Sequence, residues 1–307
     1  MTMVIQLLLL TVGFVMLVKG ADWFVDGASG IAEKFKIPQL VIGLTIVAMG
    51  TSAPEAAVSI SAALKGNADI TIGNIVGSNI LNILIILGIS SVITTLAVAK
   101  STVRIETPFL ILVTILLYLQ GRDGTISLVD GLVQLILFVI YLGYLLYMAK
   151  KNPEEPEKPK ELKLWQALLW TVLGLALIIW GSNLAVDAAT AIARILGLSE
   201  RFIGLTIVAL GTSLPELFTS VAAARKGNAD IAIGNIVGSN IFNILFVVGL
   251  SAMIVPVPFQ SGFLFDTIVA LAAAVLLLLC CLKNRKLKRW HGVVMLLGYA
   301  AYFAAIL

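Results

Sequence analysis

Two matching motifs place a carboxylate inside an apolar stretch. LTIVAMGTSAPEAAVSI covers residues 44–60 and contains Glu55, and LTIVALGTSLPELFTSV covers residues 205–221 and contains Glu216. Proline removes a backbone N–H and disfavours a helical residue before it, so a helix should break at Pro54. The break should free backbone carbonyls, at Ala48 and its counterpart Ala209, as oxygen donors beside the carboxylates.

A second pair of motifs supplies carboxamides. GNIVGSNILN (73–82) and GNIVGSNIFN (234–243) each carry polar residues spaced i, i+4, i+8, which lie on one helix face. These residues are Asn74, Ser78 and Asn82 in the first motif and Asn235, Ser239 and Asn243 in the second. We expect Asn82 and Asn243 to be ion ligands, whereas Asn74, Asn79, Asn235 and Asn240 could equally form hydrogen bonds between helices.

The side chains of the four motifs could form an all-oxygen cage. Two carboxylates, several carboxamides and the hydroxyls of Thr51, Ser52, Thr212 and Ser213 lie in or beside them. A flexible set of oxygen ligands suits Ca²⁺ or Na⁺ better than Mg²⁺. The alternative is structural, because SAPE and SLPE also fit a capping box at a helix start.

The composition places these motifs in a membrane. The chain has 307 residues, of which 60% are hydrophobic and 12% charged, and its mean hydropathy is +1.04. A spanning helix needs about 20 apolar residues. We predict an all-α integral membrane protein with ten transmembrane helices, at 4–32, 40–64, 70–92, 104–120, 126–149, 165–196, 201–225, 231–253, 262–282 and 289–306. The first apolar run has no positive residues before it, so we interpret it as a helix rather than a signal peptide.

The chain contains an internal duplication. With an offset of 161 residues, 35 of the 50 positions in 41–90 are identical to those in 202–251. We predict two five-helix repeats, 1–149 and 164–307, joined by a charged, proline-rich linker at 150–163. The conserved cores of the repeats would be about 40–92 and 201–253. Because five crossings is an odd number, the second repeat should be inverted relative to the first.

Basic residues give the orientation. With ten spans, sixteen Lys and Arg residues fall on the side of the linker and four on the other side. Cytoplasmic loops are enriched in these residues, so we expect a cytoplasmic linker and two termini outside. Inverted repeats with broken helices are typical of transporters that work by alternating access.

The paired motifs resemble the two α-repeats of the sodium/calcium exchanger family, within the cation/calcium exchanger superfamily, and the resemblance covers essentially the whole chain. It implies a ten-helix antiporter with ion sites on the second, third, seventh and eighth helices and long, sliding first and sixth helices. By motif position, Glu55, Glu216, Thr51 and Thr212 would bind Ca²⁺. The wider ion-binding set would add Ala48, Ser52, Ser78, Asn82, Ala209, Ser213, Ser239 and Asn243. Family members of the structurally known archaeal type carry Asp at the position of Asn243, which bears on the coupling ion and its stoichiometry.

We therefore predict a prokaryotic inner-membrane antiporter that exports Ca²⁺ in exchange for Na⁺. It should act as a monomer in the bilayer, with no cofactor, nucleic-acid partner or enzymatic activity. A calcium/proton antiporter is the first alternative, because a buried glutamate can carry a proton. A passive cation channel and an intramembrane hydrolase that uses the two glutamates are further alternatives.

Residues outside the motifs are expected to be structural. We expect His291 to lie on the surface, and Cys280 and Cys281 to pack or face lipid. Asp69, Asp130, Asp230 and Asp266 fall at predicted helix starts, where capping would explain them.

Overall fold

A computed structural model of the chain describes residues 3–152, 162–197 and 209–306. The first half begins with α1 (Met3–Phe35), α2 (Gln39–Thr51) and α3 (Ala53–Leu64). Next comes α4, which consists of Asp69–Leu81, Asn82–Leu87 and Gly88–Ile93. β1 (Leu96–Ala97), α5 (Thr102–Glu106 and Thr107–Gly121), β2 (Thr125–Ile126) and α6 (Leu128–Lys151) complete this half.

The second half repeats this order. It contains α7 (Leu164–Ile195), α8 (Ala209–Thr212), α9 (Leu214–Arg225), and α10, which consists of Ala229–Phe242, Asn243–Val248 and Gly249–Ile254. β3 (Val257–Pro258), α11 (Ser261–Leu282), β4 (Lys286–Leu287) and α12 (Arg289–Ile306) follow. The predicted seventh span begins at 201, so its start lies outside the described residues, as does most of the predicted linker.

The described part of the chain has seven helices that are long and apolar enough to cross a membrane. The pair α2 and α3 makes an eighth span if it is counted as one, with a bend of 49° between its helices. This bend lies at the predicted break before Pro54. The chain is thus a multi-pass, all-helical membrane protein.

The helices form a central core with a peripheral layer. In the most apolar stretch of α10, 94% of the residues are buried, and in that of α4 78% are buried. By contrast, only 22% of the corresponding stretch of α1 is buried, so that stretch lies on the outside of the helix bundle. With 33 residues, α1 is about 50 Å long, which exceeds a hydrocarbon core of about 30 Å and requires tilt. It packs along α7, which has 32 residues.

Two minimal antiparallel ladders join the halves. Leu96 of β1 pairs with Leu287 of β4, and Ile126 of β2 pairs with Val257 of β3. Under the 161-residue offset, β1 is equivalent to β3 and β2 to β4. Each ladder therefore pairs a strand of one half with the non-equivalent strand of the other half.

Asp130, Asp266 and His291 lie outside the motifs, and the structure shows their surroundings. Asp130 is confirmed as a capping residue, because it forms a capping box with Ser127. The capping expectation was wrong for Asp266, which lies inside α11 and accepts a hydrogen bond from the Tyr302 hydroxyl. The surface expectation was wrong for His291, which is 6% exposed and accepts a hydrogen bond from the Lys288 backbone N–H.

Candidate ion-binding site

The glutamates lie where the broken helices restart. Ser52 separates α2 from α3 and Ser213 separates α8 from α9, each with ψ near zero. Glu55 and Glu216 follow in the first turns of α3 and α9, and each is 1% exposed. The free N–H groups of a helix start favour a negative charge there. The sequence thus buries two carboxylates at two helix N-termini.

The hydroxyls at the breaks bind the opposite half of the molecule. Ser52 donates its Oγ hydrogen to Glu216 Oε1 at 2.8 Å, and Thr51 donates to Asn235 Oδ1 at 3.0 Å. Neither Ser52 nor Ser213 makes the side-chain hydrogen bond of an N-cap. The capping-box alternative therefore fails here, since the Ser52 hydroxyl is used by a carboxylate 164 residues away.

Two asparagines hold the carboxylate-bearing helices in place. Asn74 donates its side-chain amide to the backbone oxygen of Glu55 and to Ser59 Oγ, at 3.2 and 2.9 Å. Asn235 makes the equivalent bonds to Glu216 O and Ser220 Oγ, at 3.4 and 2.9 Å. The helix-to-helix interpretation of these asparagines is thus the one that the geometry favours.

The remaining four asparagines form a reciprocal contact between α4 and α10. Asn79 and Asn240 each donate to the other's backbone oxygen, at 3.2 and 3.1 Å. Asn82 donates to Asn240 Oδ1 at 2.9 Å, and Asn243 donates to Asn79 Oδ1 at 3.2 Å. Asn79 and Asn240 therefore orient Asn82 and Asn243. The side-chain N–H groups of Asn82 and Asn243 are bound to protein, and their Oδ1 atoms have no hydrogen-bond partner within the described residues.

A local change in helix geometry begins at each of these two residues. Asn82–Leu87 and Asn243–Val248 are wider π-helical turns within α4 and α10. Such turns recur at functional sites because they leave backbone and side-chain groups out of the regular α-helical pattern. Nothing in the residue types predicted these turns.

Within the four motifs, several buried acceptor oxygens lack a hydrogen-bond partner among the described residues. They are both carboxylate oxygens of Glu55, Oε2 of Glu216, and the Oδ1 atoms of Asn82 and Asn243. The Ser213 hydroxyl is also without a partner there. Buried polar groups are nearly always satisfied. The two halves therefore present carboxylate and amide oxygens without matching hydrogen-bond donors. Such oxygens are the ligands that Ca²⁺ and Na⁺ require.

The other predicted ligands differ in their surroundings. The expectation that the helix break frees the Ala48 carbonyl was wrong, because this oxygen accepts the backbone N–H of Ser52 at 3.0 Å. It also accepts the Thr51 and Ser239 hydroxyls, each at 3.3 Å. Ser78 is buried in α4. Ala209 begins the short α8 helix, next to residues that the structure does not describe.

Thr212 differs from its buried counterpart Thr51 because it lines a cavity. The cavity has a volume of about 330 Å³. Its walls come from α3, α7 and α8 and consist of Pro54, Val58, Ser182, Asn183, Val186, Asp187, Gly211 and Thr212. It gives access to the region of the helix breaks from one side of the molecule.

An ion pair joins the segment after α9 to α1. Lys226, just after α9, binds the carboxylates of Asp22 and Asp26 on α1 at 3.5 and 2.9 Å. It also donates to the backbone oxygen of Asp22 at 2.7 Å. The equivalent positions in the other half are Lys65, Asn183 and Asp187, and within the described residues Lys65 and Asp187 form no such pair. The equivalent positions of the two halves therefore differ in their ion pairing within the described residues.

The fold and these side chains define a class: a multi-pass helical membrane protein whose central helices bury two carboxylates among acceptor oxygens. The sequence profile of the family described as "Sodium/calcium exchanger protein" matches residues 5–147 and 166–307. The chain therefore belongs to the sodium/calcium exchanger family, and with it to the cation/calcium antiporters.

Individual relatives match this chain over nearly their full lengths. CaxA of Alkalimonas amylolytica, which is named as an antiporter, is 43% identical, with 98% of each chain covered. The sodium/calcium exchanger MaX1 of Methanosarcina acetivorans is 32% identical, again with 98% of each covered. The solved structure of the sodium-calcium exchanger NCX_Mj, soaked with zero Na⁺ and Ca²⁺, matches with a TM-score of 0.88 at 34% identity and covers all of both chains.

Proposed function

We propose that the chain is a sodium/calcium antiporter that exports Ca²⁺ as Na⁺ enters. The observation that carries the proposal is the group of buried, unpartnered oxygens on Glu55, Glu216, Asn82 and Asn243. Their combined formal charge of −2 matches one Ca²⁺, and the same oxygens can hold Na⁺ in its place. Competition of the two ions for one site is the simplest physical basis for exchange.

The proposed ligands fall into two groups. Glu55 and Glu216, with the Thr51 and Thr212 hydroxyls, are the Ca²⁺ ligands. Ser52, Ser213, Ser78, Ser239, Asn82, Asn243 and the carbonyls of Ala48 and Ala209 complete the sites for the exchanged ions. At Ala48 the hydroxyls of Thr51 and Ser239 would rotate their hydrogens away when a cation arrives, so that hydroxyl and carbonyl oxygens both face it.

Two halves of opposite orientation are a common basis of alternating access, and the strand pairing supports this arrangement here. α5 is long and apolar enough to cross the membrane, so β1 and β2 at its two ends lie on opposite sides. β4 is the counterpart of β2 but pairs with β1. That pairing is the one expected if the second half is inverted relative to the first. Ten spans in two inverted sets of five, with a cytoplasmic linker and both termini outside, accommodate this arrangement.

The unequal sides also favour a carrier over a channel. A channel needs a continuous path when it conducts, whereas a carrier exposes its site to one side at a time. Here a cavity is lined by Thr212, while Lys226 and two aspartates form ion pairs between α1 and the segment after α9, which we propose is the closed side. This difference is the one expected of an alternating carrier.

Ion flux into reconstituted vesicles tests the proposal. We expect Ca²⁺ uptake into Na⁺-loaded vesicles to require the outward Na⁺ gradient and to stop when Na⁺ is equal on both sides. Uptake that ignores Na⁺ but follows an imposed pH gradient would instead establish calcium/proton exchange. Unitary currents in planar bilayers would establish a channel.

A further inference from the structure

A basic cavity lies away from the ion-binding site, at the junction of the two halves. It has a volume of about 490 Å³, and four cationic side chains line it: Lys100, Arg104, Lys283 and Arg285. The first two lie at the start of α5, and the last two follow α11. The β1–β4 ladder holds these segments together, with the Val98 backbone N–H donating to Arg285 O at 2.9 Å.

None of the four cations has an ion-pair partner in the part of the chain that the structure describes. All four are exposed. Concentrating positive charge in one concavity is unfavourable without an anion, because like charges repel and the walls reduce screening. The cavity is therefore suited to an anionic ligand.

The duplication shows that the charge is not required by the fold. The positions equivalent to Lys100, Arg104, Lys283 and Arg285 are Ser261, Phe265, Arg122 and Gly124. Only one of these four is basic, although the cores of the two repeats are largely identical. The basic cavity thus belongs to one membrane face, the face to which the lysine and arginine distribution assigns the cytoplasm.

Neighbouring residues place the cavity at headgroup depth. Trp290, 61% exposed, lies next to the β4 ladder, and exposed tryptophans are typical of the interface between membrane and water. The apolar part of the wall comes from Val103 and Leu282. Leu282 and Leu279 of α11 are largely exposed and continue the apolar surface toward the bilayer centre. A ligand with a phosphate and an acyl chain would meet both parts.

We propose that this cavity binds the headgroup of an anionic phospholipid of the cytoplasmic leaflet. Arg104 and Arg285 offer planar groups that can bind phosphate oxygens in pairs, and the two lysines add compact charge. Basic pockets between transmembrane helices on this face are suited to anionic headgroups, whereas zwitterionic lipids supply no net charge to hold.

The test is a lipid titration of the purified, full-length protein in detergent, read by native mass spectrometry. Phosphatidylglycerol, phosphatidylcholine and water-soluble glycerol 3-phosphate are the three probes. We expect bound phosphatidylglycerol to be detected at lipid concentrations at which no bound phosphatidylcholine is detected. Retention of phosphatidylglycerol should fall roughly fivefold for each cation removed. Two variants test this: the double variant Lys100→Gln/Lys283→Gln, and a quadruple variant that adds Arg104→Gln and Arg285→Asn. Asn is chosen at 285 because the backbone there has φ 47°.

A charge-matched control separates the cavity from general surface charge. Lys34, Lys150, Lys151 and Lys163 lie on the same predicted face but do not line the cavity, so their replacement by Gln should leave phosphatidylglycerol retention unchanged. Ca²⁺ flux in each variant reports correct folding. Equal retention of the two lipids, an equal loss in the control, or glycerol 3-phosphate binding as tight as phosphatidylglycerol would each overturn the proposal.

Discussion

Glu55 and Glu216 occupy equivalent sequence positions but have different surroundings. Ser52 donates to one oxygen of Glu216, whereas both oxygens of Glu55 lack a partner in the described structure. Ser213, the counterpart of Ser52, is adjacent to the cavity-lining Thr212, and its Oγ has no hydrogen-bond partner within the described residues. Glu55 is thus the carboxylate less satisfied by protein and more dependent on a cation.

Charge removal at the two glutamates tests their role as ligands. We expect Glu55→Gln and Glu216→Gln each to weaken Ca²⁺ binding by about 3 to 5 kcal/mol, a factor of more than about one hundred, because each change breaks a buried charge pair. Isothermal titration with Ca²⁺ and vesicle flux measure the loss.

Asp130→Asn is the matched acid-to-amide control. It removes a charge from a capping box outside the four motifs, so we expect a stability loss of about 1 kcal/mol with normal Ca²⁺ flux. Near-normal flux in both glutamate variants would contradict the assignment of the site.

At the scale of elements, glycines bring α1 and α7 unusually close. A Cβ atom added at Gly20 would lie 2.8 Å from the Gly174 carbonyl oxygen, and one added at Gly174 would lie 2.7 Å from the Gly20 carbonyl oxygen. The two positions therefore face each other with no room for a side chain. A smooth backbone seam of this kind lets two long helices pack tightly and still move together as one layer.

Replacing a glycine in the seam should force the helices apart. We expect Gly20→Ala to destabilise the protein by about 1 to 3 kcal/mol through overpacking, and to slow transport because the α1–α7 layer is displaced. Thermal unfolding in detergent and initial flux rates measure the two effects.

Gly143→Ala in α6 is the control, because a Cβ atom there would meet nothing within 4 Å. It should leave flux unchanged and stabilise the helix by up to about 1 kcal/mol. The seam interpretation is wrong if the two substitutions behave alike.

At the scale of the whole molecule, the two halves differ in their ion pairs although most of the residues involved are duplicated. The exception is Asn183, which stands at the position equivalent to Asp22. Both halves carry the lysine after the broken helix, Lys65 and Lys226, and both long helices carry an aspartate, Asp187 and Asp26. Only the Lys226 pair is formed in the described structure. We infer that the Lys226 pair holds its side closed here, and that Lys65 and Asp187 pair in the opposite state.

Cysteine labelling tests this difference between the sides. Val58 lines the cavity and is 43% exposed, while its counterpart Thr219 is 0% exposed. In a Cys280→Ser/Cys281→Ser background, we expect a membrane-impermeant maleimide to label Val58→Cys readily and Thr219→Cys poorly.

Adding Lys226→Gln should raise the labelling of Thr219→Cys, because the closed side loses its ion pair. Lys65→Gln, the matched change on the open side, should not raise it. Equal labelling of Val58→Cys and Thr219→Cys without either lysine change would contradict the assignment of open and closed sides.

Much of the fold follows from patterns that are local along the chain. Hydropathy located the seven long apolar helices of the described structure, Pro54 and the equivalent Pro215 marked the broken helices, and the 161-residue offset identified equivalent positions. The capping alternative could not be rejected locally, because Ser52 lies at the correct distance from Glu55 to cap the helix. Its actual partner, Glu216, is brought near only by folding.

The sequence by itself determined that the protein crosses a membrane, that its core is duplicated and that two carboxylates lie beside helix breaks, because these properties depend on residue type and short-range spacing. Only the tertiary structure decided which asparagines hold helices together and which leave an oxygen free, since that depends on contacts between halves. It also decided which of two lysines forms an ion pair. Lys65 and Lys226 occupy equivalent positions in sequence, but only Lys226 reaches the aspartates of a long helix in the described structure.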